Sequence, residues 1–145
     1  MPLVRMGGRA ALRGVHRLFL AFPVALFTTA LATDIAYLKT AELQWTNFSA
    51  WMIVGALVFG GVVGVLAILD AITSPAAARR PRLIYLALIA AAWVLGLINA
   101  FKHSQDGWSS VGAFGLILSI LCTLLVLAAG LLAYSGWTTH REDVR

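Results

Sequence analysis

Charge is missing from most of this chain. No Asp, Glu, Lys or Arg occurs between Glu42 and Asp70, between Arg82 and Lys102, or between Asp106 and Arg141, and the stretch Leu18 to Leu38 is broken only by Asp34. At 1.5 Å of helix per residue, each of these four apolar runs can cross a hydrocarbon core of roughly 30 Å. Lipid offers the backbone no water, so a spanning segment must be a helix or part of a closed barrel, and runs of about 20 residues are too long for barrel strands. The expected structure is therefore all-α, a single membrane domain over residues 1–145 with spans at about 18–38, 48–70, 83–101 and 111–137. The connections Lys39–Asn47, Thr73–Arg82 and Lys102–Ser110 are short, and the second carries Pro75 and Pro81, which suits a tight non-helical turn. Short connections make each helix antiparallel to the next, giving an up-down four-helix bundle.

With 61% hydrophobic and 12% charged residues, the chain departs from soluble domains, in which about half and a quarter are typical. A net charge of +5 would suit a nucleic-acid partner if the basic residues formed a patch. Instead they flank the apolar runs, so no nucleic-acid partner is expected. Arg5, Arg9, Arg13, Arg17, Arg79, Arg80, Arg82, Arg141 and Arg145 fall on one side, which leaves Lys39 and Lys102 on the other. The positive-inside rule then puts both termini in the cytoplasm. The single cysteine, Cys122, lies in the fourth run, which excludes an internal disulfide and a thiolate cluster. The arginine-rich start and the triplet Ala30-Leu31-Ala32 have the look of a signal peptide, but the apolar stretch continues to Leu38 and reads as a span.

The two halves echo each other at an offset of 63 residues, pairing Arg17 with Arg80, Leu20 with Leu83, Phe22 with Tyr85 and Lys39 with Lys102. Two origins fit: a parallel repeat of two hairpins about an axis along the membrane normal, or similar interface chemistry at equivalent places. Small residues at fourfold spacing mark the expected helix contacts, because membrane helices associate by close backbone approach. These are Ala21, Ala25, Thr29 and Thr33; Ala56, Gly60 and Gly64; Ala92, Gly96 and Ala100; and Gly115, Ser119 and Thr123.

An ionisable group inside a span is expensive and is paired, protonated or functional. Asp34 lies near one end of the first helix and Asp70 near the opposite end of the second, at depths about 20 Å or more apart. They are no catalytic pair. Asn99 and Lys102 reach the level of Asp34, which serves either as a proton or cation site or as a structural link between helix ends; intramembrane polar pairs that mainly pack favour the link. Asp70 is level with His16, Arg17, Arg79 and His140, where an arginine pairing is expected and a His-Asp-His set is the alternative. In that alternative the set binds a metal, or His16 and His140 ligate a haem axially. Trp93 falls mid-helix and needs a partner for its indole N–H, in core packing or beside a cofactor. Pro23 removes one hydrogen bond within the first helix and should kink it near Phe19. Phosphate-loop, dinucleotide, nucleophile-elbow and His-Glu-x-x-His motifs are absent.

His16, Phe22-Pro23 and Asp34 in the first helix, the terminal Asp70 of the second, and Gly130-Leu131-Leu132-Ala133 running to His140 resemble a bacterial family of four-span membrane proteins called domain of unknown function 2231. The resemblance covers nearly the whole chain and implies a fold and a membrane location, with no established activity. The expected role is a non-catalytic accessory or assembly subunit of the bacterial inner membrane, without a cofactor. It would meet the lipid bilayer and a homodimeric or larger membrane complex through small residues that face lipid. A b-type haem module on His16 and His140 with Trp93 beside the macrocycle is the first alternative. A proton- or ion-coupled carrier using Asp34, active as a dimer, is the second.

Overall fold

A computed structural model describes residues 2–105 and 111–135. Four helices account for nearly all of them: α1 (Pro2–Thr40), α2 (Leu43–Thr73), α3 (Ala76–His103) and α4 (Ala113–Tyr134). Each contains a segment long and apolar enough to cross a membrane, Ala11–Thr40, Leu43–Thr73, Ala78–His103 and Ala113–Tyr134. Each helix packs on its neighbours in chain order and α4 closes back on α1, so the up-down bundle expected from the short connections is the observed architecture.

The helices run further than hydropathy alone implies. Only Ala41 and Glu42 separate α1 from α2, and only Ser74 and Pro75 separate α2 from α3. Ala41 adopts the left-handed conformation at φ 57°, with its N–H donating to Tyr37 O at 2.8 Å, the hydrogen bond that ends a helix in an αL cap. The Thr73–Arg82 segment is not the non-helical turn that its prolines suggest. Pro75 ends the turn, and Pro81 lies inside α3 as its sixth residue, past the first turn, so the helix continues there at the loss of one backbone hydrogen bond. Likewise α1 continues through Pro23, which is fully buried.

Burial alternates at steps of three and four. Among the described side chains, the buried positions of α1 are Leu20, Pro23, Phe27, Ala30, Thr33 and Asp34, and those of α3 are Tyr85, Ile89, Ala92, Gly96, Asn99 and His103. This is the spacing of coiled-coil-like bundle packing, and it corrects one expected contact stripe. A strict fourfold stripe drifts about 40° per step around a helix of 3.6 residues per turn. Ala56, Gly60, Ala92, Gly96, Gly115, Ser119 and Thr123 are buried, but Ala21, Ala25 and Thr29 of α1 have drifted onto its exposed side. The buried faces also do not repeat at 63 residues, since that offset sets buried Leu20 on exposed Leu83 and exposed Phe22 on buried Tyr85.

The diagonal helices α1 and α3 run parallel and meet in a constant register of 69 residues. His16 meets Tyr85, Phe27 lies over Gly96, and Asp34 meets His103. Two apolar layers fill the space between the outer pairs. One gathers around Leu20, Val63, Tyr85 and Ile89, the other around Phe27, Ile53, Ala92 and Val126. The layer next to the α1–α2 and α3–α4 connections is polar.

Candidate functional site

All four helices contribute to that polar layer. Asp34 comes from α1, six residues before its end; Ser49 from the second turn of α2; Asn99 and His103 from the last turns of α3; and Ser119 from the second turn of α4. The side chains of Asp34 and His103 are fully buried, as are Ser49, Asn99 and Ser119. His103 Nε2 lies 2.9 Å from Asp34 Oδ1 and 3.2 Å from Ser49 Oγ, and its Nδ1 lies 3.0 Å from Asn99 O. The hydroxyl of Ser119 donates to Asp34 Oδ2 at 2.5 Å and accepts from Asn99 Nδ2 at 2.8 Å. Ser49 Oγ in turn donates to Ala30 O at 3.3 Å.

These contacts fix the chemistry of the pair. A carbonyl only accepts, so Nδ1 must carry a proton to reach Asn99 O. A single proton then lies between Nε2 and Oδ1. It makes either an imidazolium beside a carboxylate or a neutral imidazole beside a carboxylic acid, and the pair has no net charge in both cases. The imidazolium form uses every contact around the ring, with Nε2–H donating to Asp34 and Ser49 while Ser49 donates onward to Ala30. The C-terminal end of α3 also favours a cation at His103. One atom of the layer stays unsatisfied: Asn99 Oδ1 is buried without a partner.

Asp34 and Asn99 therefore share a layer as their sequence positions suggest, but they meet through Ser119, and Lys102 is not with them. Its Nζ donates to Gln105 Oε1 at 2.8 Å. The missed residue is His103. Helix α3 ends two residues beyond the expected span, which puts position 103, one turn beyond Asn99, on the buried face.

At the other end of the bundle Asp70 takes an arginine, as expected of a helix-end charge, and the arginine is Arg82. Its Nε lies 2.8 Å from Oδ2 but with the N–H out of line, so the contact is an ion pair. His16 does not join Asp70; its Nε2 lies 2.7 Å from Tyr85 Oη. His140 lies outside the described residues. Trp93 stands about two turns along α3 from Tyr85, half exposed, with its indole N–H donating to Leu57 O at 3.0 Å. The structure thus separates Trp93 from His16. Among the described residues no group of three or more His, Cys, Asp or Glu side chains is arranged to hold a metal.

The bare helix faces around Trp93 have distinct roles. A Cβ on Gly60 would sit 3.7 Å from Trp93 Cδ1, and one on Gly64 would sit 3.9 Å from Ile89 Cγ2, both ordinary contacts. A Cβ on Gly96 would sit 2.7 Å from Phe27 Cζ and 3.2 Å from Leu57 Cδ2, so the bare backbone at Gly96 makes the notch that receives the edge of the Phe27 ring.

The family model described as a predicted membrane protein, DUF2231, matches residues 13–141. That range includes the whole polar layer. No curated protein and no solved structure matches the chain.

Proposed function

For a chain that belongs to the DUF2231 family of predicted membrane proteins, we propose a non-catalytic role: an accessory or assembly subunit of the bacterial inner membrane, with both termini in the cytoplasm. The observation that carries this reading is a patch of small residues on the outward face of α1, in a bundle whose buried polar side chains are bonded internally. In the polar layer Asp34, His103, Ser49 and Ser119 are bonded to one another or to backbone. The face that α1 turns outward carries Ala21, Ala25, Thr28, Thr29 and Ala32. Thr28 and Thr29 bond back to Val24 O and Ala25 O of their own helix, which leaves a smooth surface. Small residues on a lipid-facing helix allow a second membrane helix to approach closely.

Cysteine placed at Ala25 tests this. Cys122 is buried and does not compete for reagent. In native membranes Ala25→Cys should give a crosslinked product heavier than the monomer, and a control at exposed Val58 on α2 should not. Recovery of the monomer alone at every expression level would overturn the proposal.

A second reading, favoured by the single proton between Asp34 and His103, is a proton-coupled carrier. Asp34→Asn keeps the shape and the hydrogen bonds while removing the titratable group. The accessory reading expects a folded protein with its cellular phenotype intact, because an intramembrane hydrogen bond averages only about 0.6 kcal/mol. A folded variant that fails to complement a deletion strain would put the carrier first.

A further inference from the structure

At the arginine-rich end of the bundle, the last turns of α2 and the first turns of α3 part on either side of the Ser74–Pro75 turn and leave a groove of about 370 Å³. It is lined by Ile68, Ala71, Ile72, Leu83 and Leu86, with one charged residue, Arg79. Three of the apolar side chains are wide open to the surroundings: Ile68 is 45% exposed, Ile72 68% and Leu83 49%. Arg79 is exposed and, among the described residues, has no acidic partner, since the nearby carboxylate of Asp70 is taken by Arg82. Arg80 beside it is also exposed, so the rim carries a local excess of positive charge.

We infer that this groove is a binding site for one anionic phospholipid, with an acyl chain along the Ile68, Ile72 and Leu83 wall and the phosphate on Arg79. The chemistry of the two parts selects the occupant. An apolar wall between two membrane helices takes hydrocarbon, and a guanidinium with no acidic partner among the described residues takes phosphate in a bidentate grip. A zwitterionic lipid would satisfy the wall and bring its own cation against Arg79. A water-soluble phosphate would satisfy Arg79 and leave the wall unused.

Native mass spectrometry of the purified full chain, loaded with phosphatidylglycerol or with phosphatidylcholine of the same chain length, tests the site. Phosphatidylglycerol should be retained in preference. Arg79→Gln should cut that preference about fivefold, the factor equivalent to ~1 kcal/mol for one cation at a membrane surface. Arg80→Gln, which does not line the groove, should cut it less. Ile68→Trp should displace the bound lipid while Arg79 remains, which shows that the groove and not diffuse charge holds it. Inorganic phosphate in excess should leave the lipid bound. Equal retention of the two lipids, equal effects of the two arginine variants, or displacement by phosphate alone would each overturn the site.

Discussion

Replacing His103 with alanine should cost the bundle about 3–5 kcal/mol, the range for removing one partner of a buried ion pair. The alternative scale is the 0.6 kcal/mol average for intramembrane hydrogen bonds, which applies where the abandoned group finds another partner. Asp34 has little choice, since its side chain is fully buried and its other contact is the hydroxyl of Ser119. Adding Asp34→Asn to His103→Ala should therefore recover at least about 1 kcal/mol, because the double variant no longer buries a lone charge. Reversible unfolding in detergent, followed for both single variants and the double, measures the cycle. A loss below about 1 kcal/mol for His103→Ala, with no recovery in the double variant, would show that the pair is held as neutral imidazole and carboxylic acid.

Alanine at Gly96 and alanine at Gly60 should move stability in opposite directions. In a helix interior either change gains up to about 1 kcal/mol from propensity. At Gly60 the new methyl meets its neighbours at 3.7 and 3.9 Å, so that gain should survive. At Gly96 the methyl would stand 2.7 Å from the ring of Phe27, itself only 2% exposed. Overpacking of this kind costs about 1–3 kcal/mol, so Gly96→Ala should lose about 1–2 kcal/mol net. Adding Phe27→Leu should return part of the loss by removing the clashing ring edge. Equal melting temperatures for Gly96→Ala and Gly60→Ala would mean that α1 and α3 are not in contact at this level.

Much of this was legible in the chain because lipid leaves so few options. Charge-free runs allow only helices, and short connections allow only antiparallel neighbours. What hydropathy does not mark is where a helix stops, because the last turn of a membrane helix is built from the same polar and charged residues as a loop. That is why Lys102 and His103 read as the start of a connection, and why Lys102 rather than His103 stood beside Asn99 as a partner of Asp34. The spacing did hold the answer: positions 85, 89, 92, 96, 99 and 103 form one alternating three-and-four series, with the histidine at its end. The outward stripe of α1 misled for a related reason. Ala21, Ala25 and Thr29 are spaced for a ridge, whereas a bundle face needs alternating steps, and a count of small residues does not distinguish the two.

The register of 69 residues between α1 and α3 also sets a clock. Helix α1 leaves the ribosome with Asp34 in it, and the imidazole that pairs with that carboxylate is made 69 residues later. At roughly 5–20 residues per second, Asp34 waits about 3–14 s for His103 and longer for Ser119. Until then the carboxylate has no built partner in the bundle. It lies six residues, about 9 Å, from the end of its helix, close enough to the membrane surface for a newly inserted α1 to tilt or slide outward and keep it hydrated. The groups that satisfy this carboxylate at its buried depth, His103 and Ser119, thus belong to segments translated well after α1.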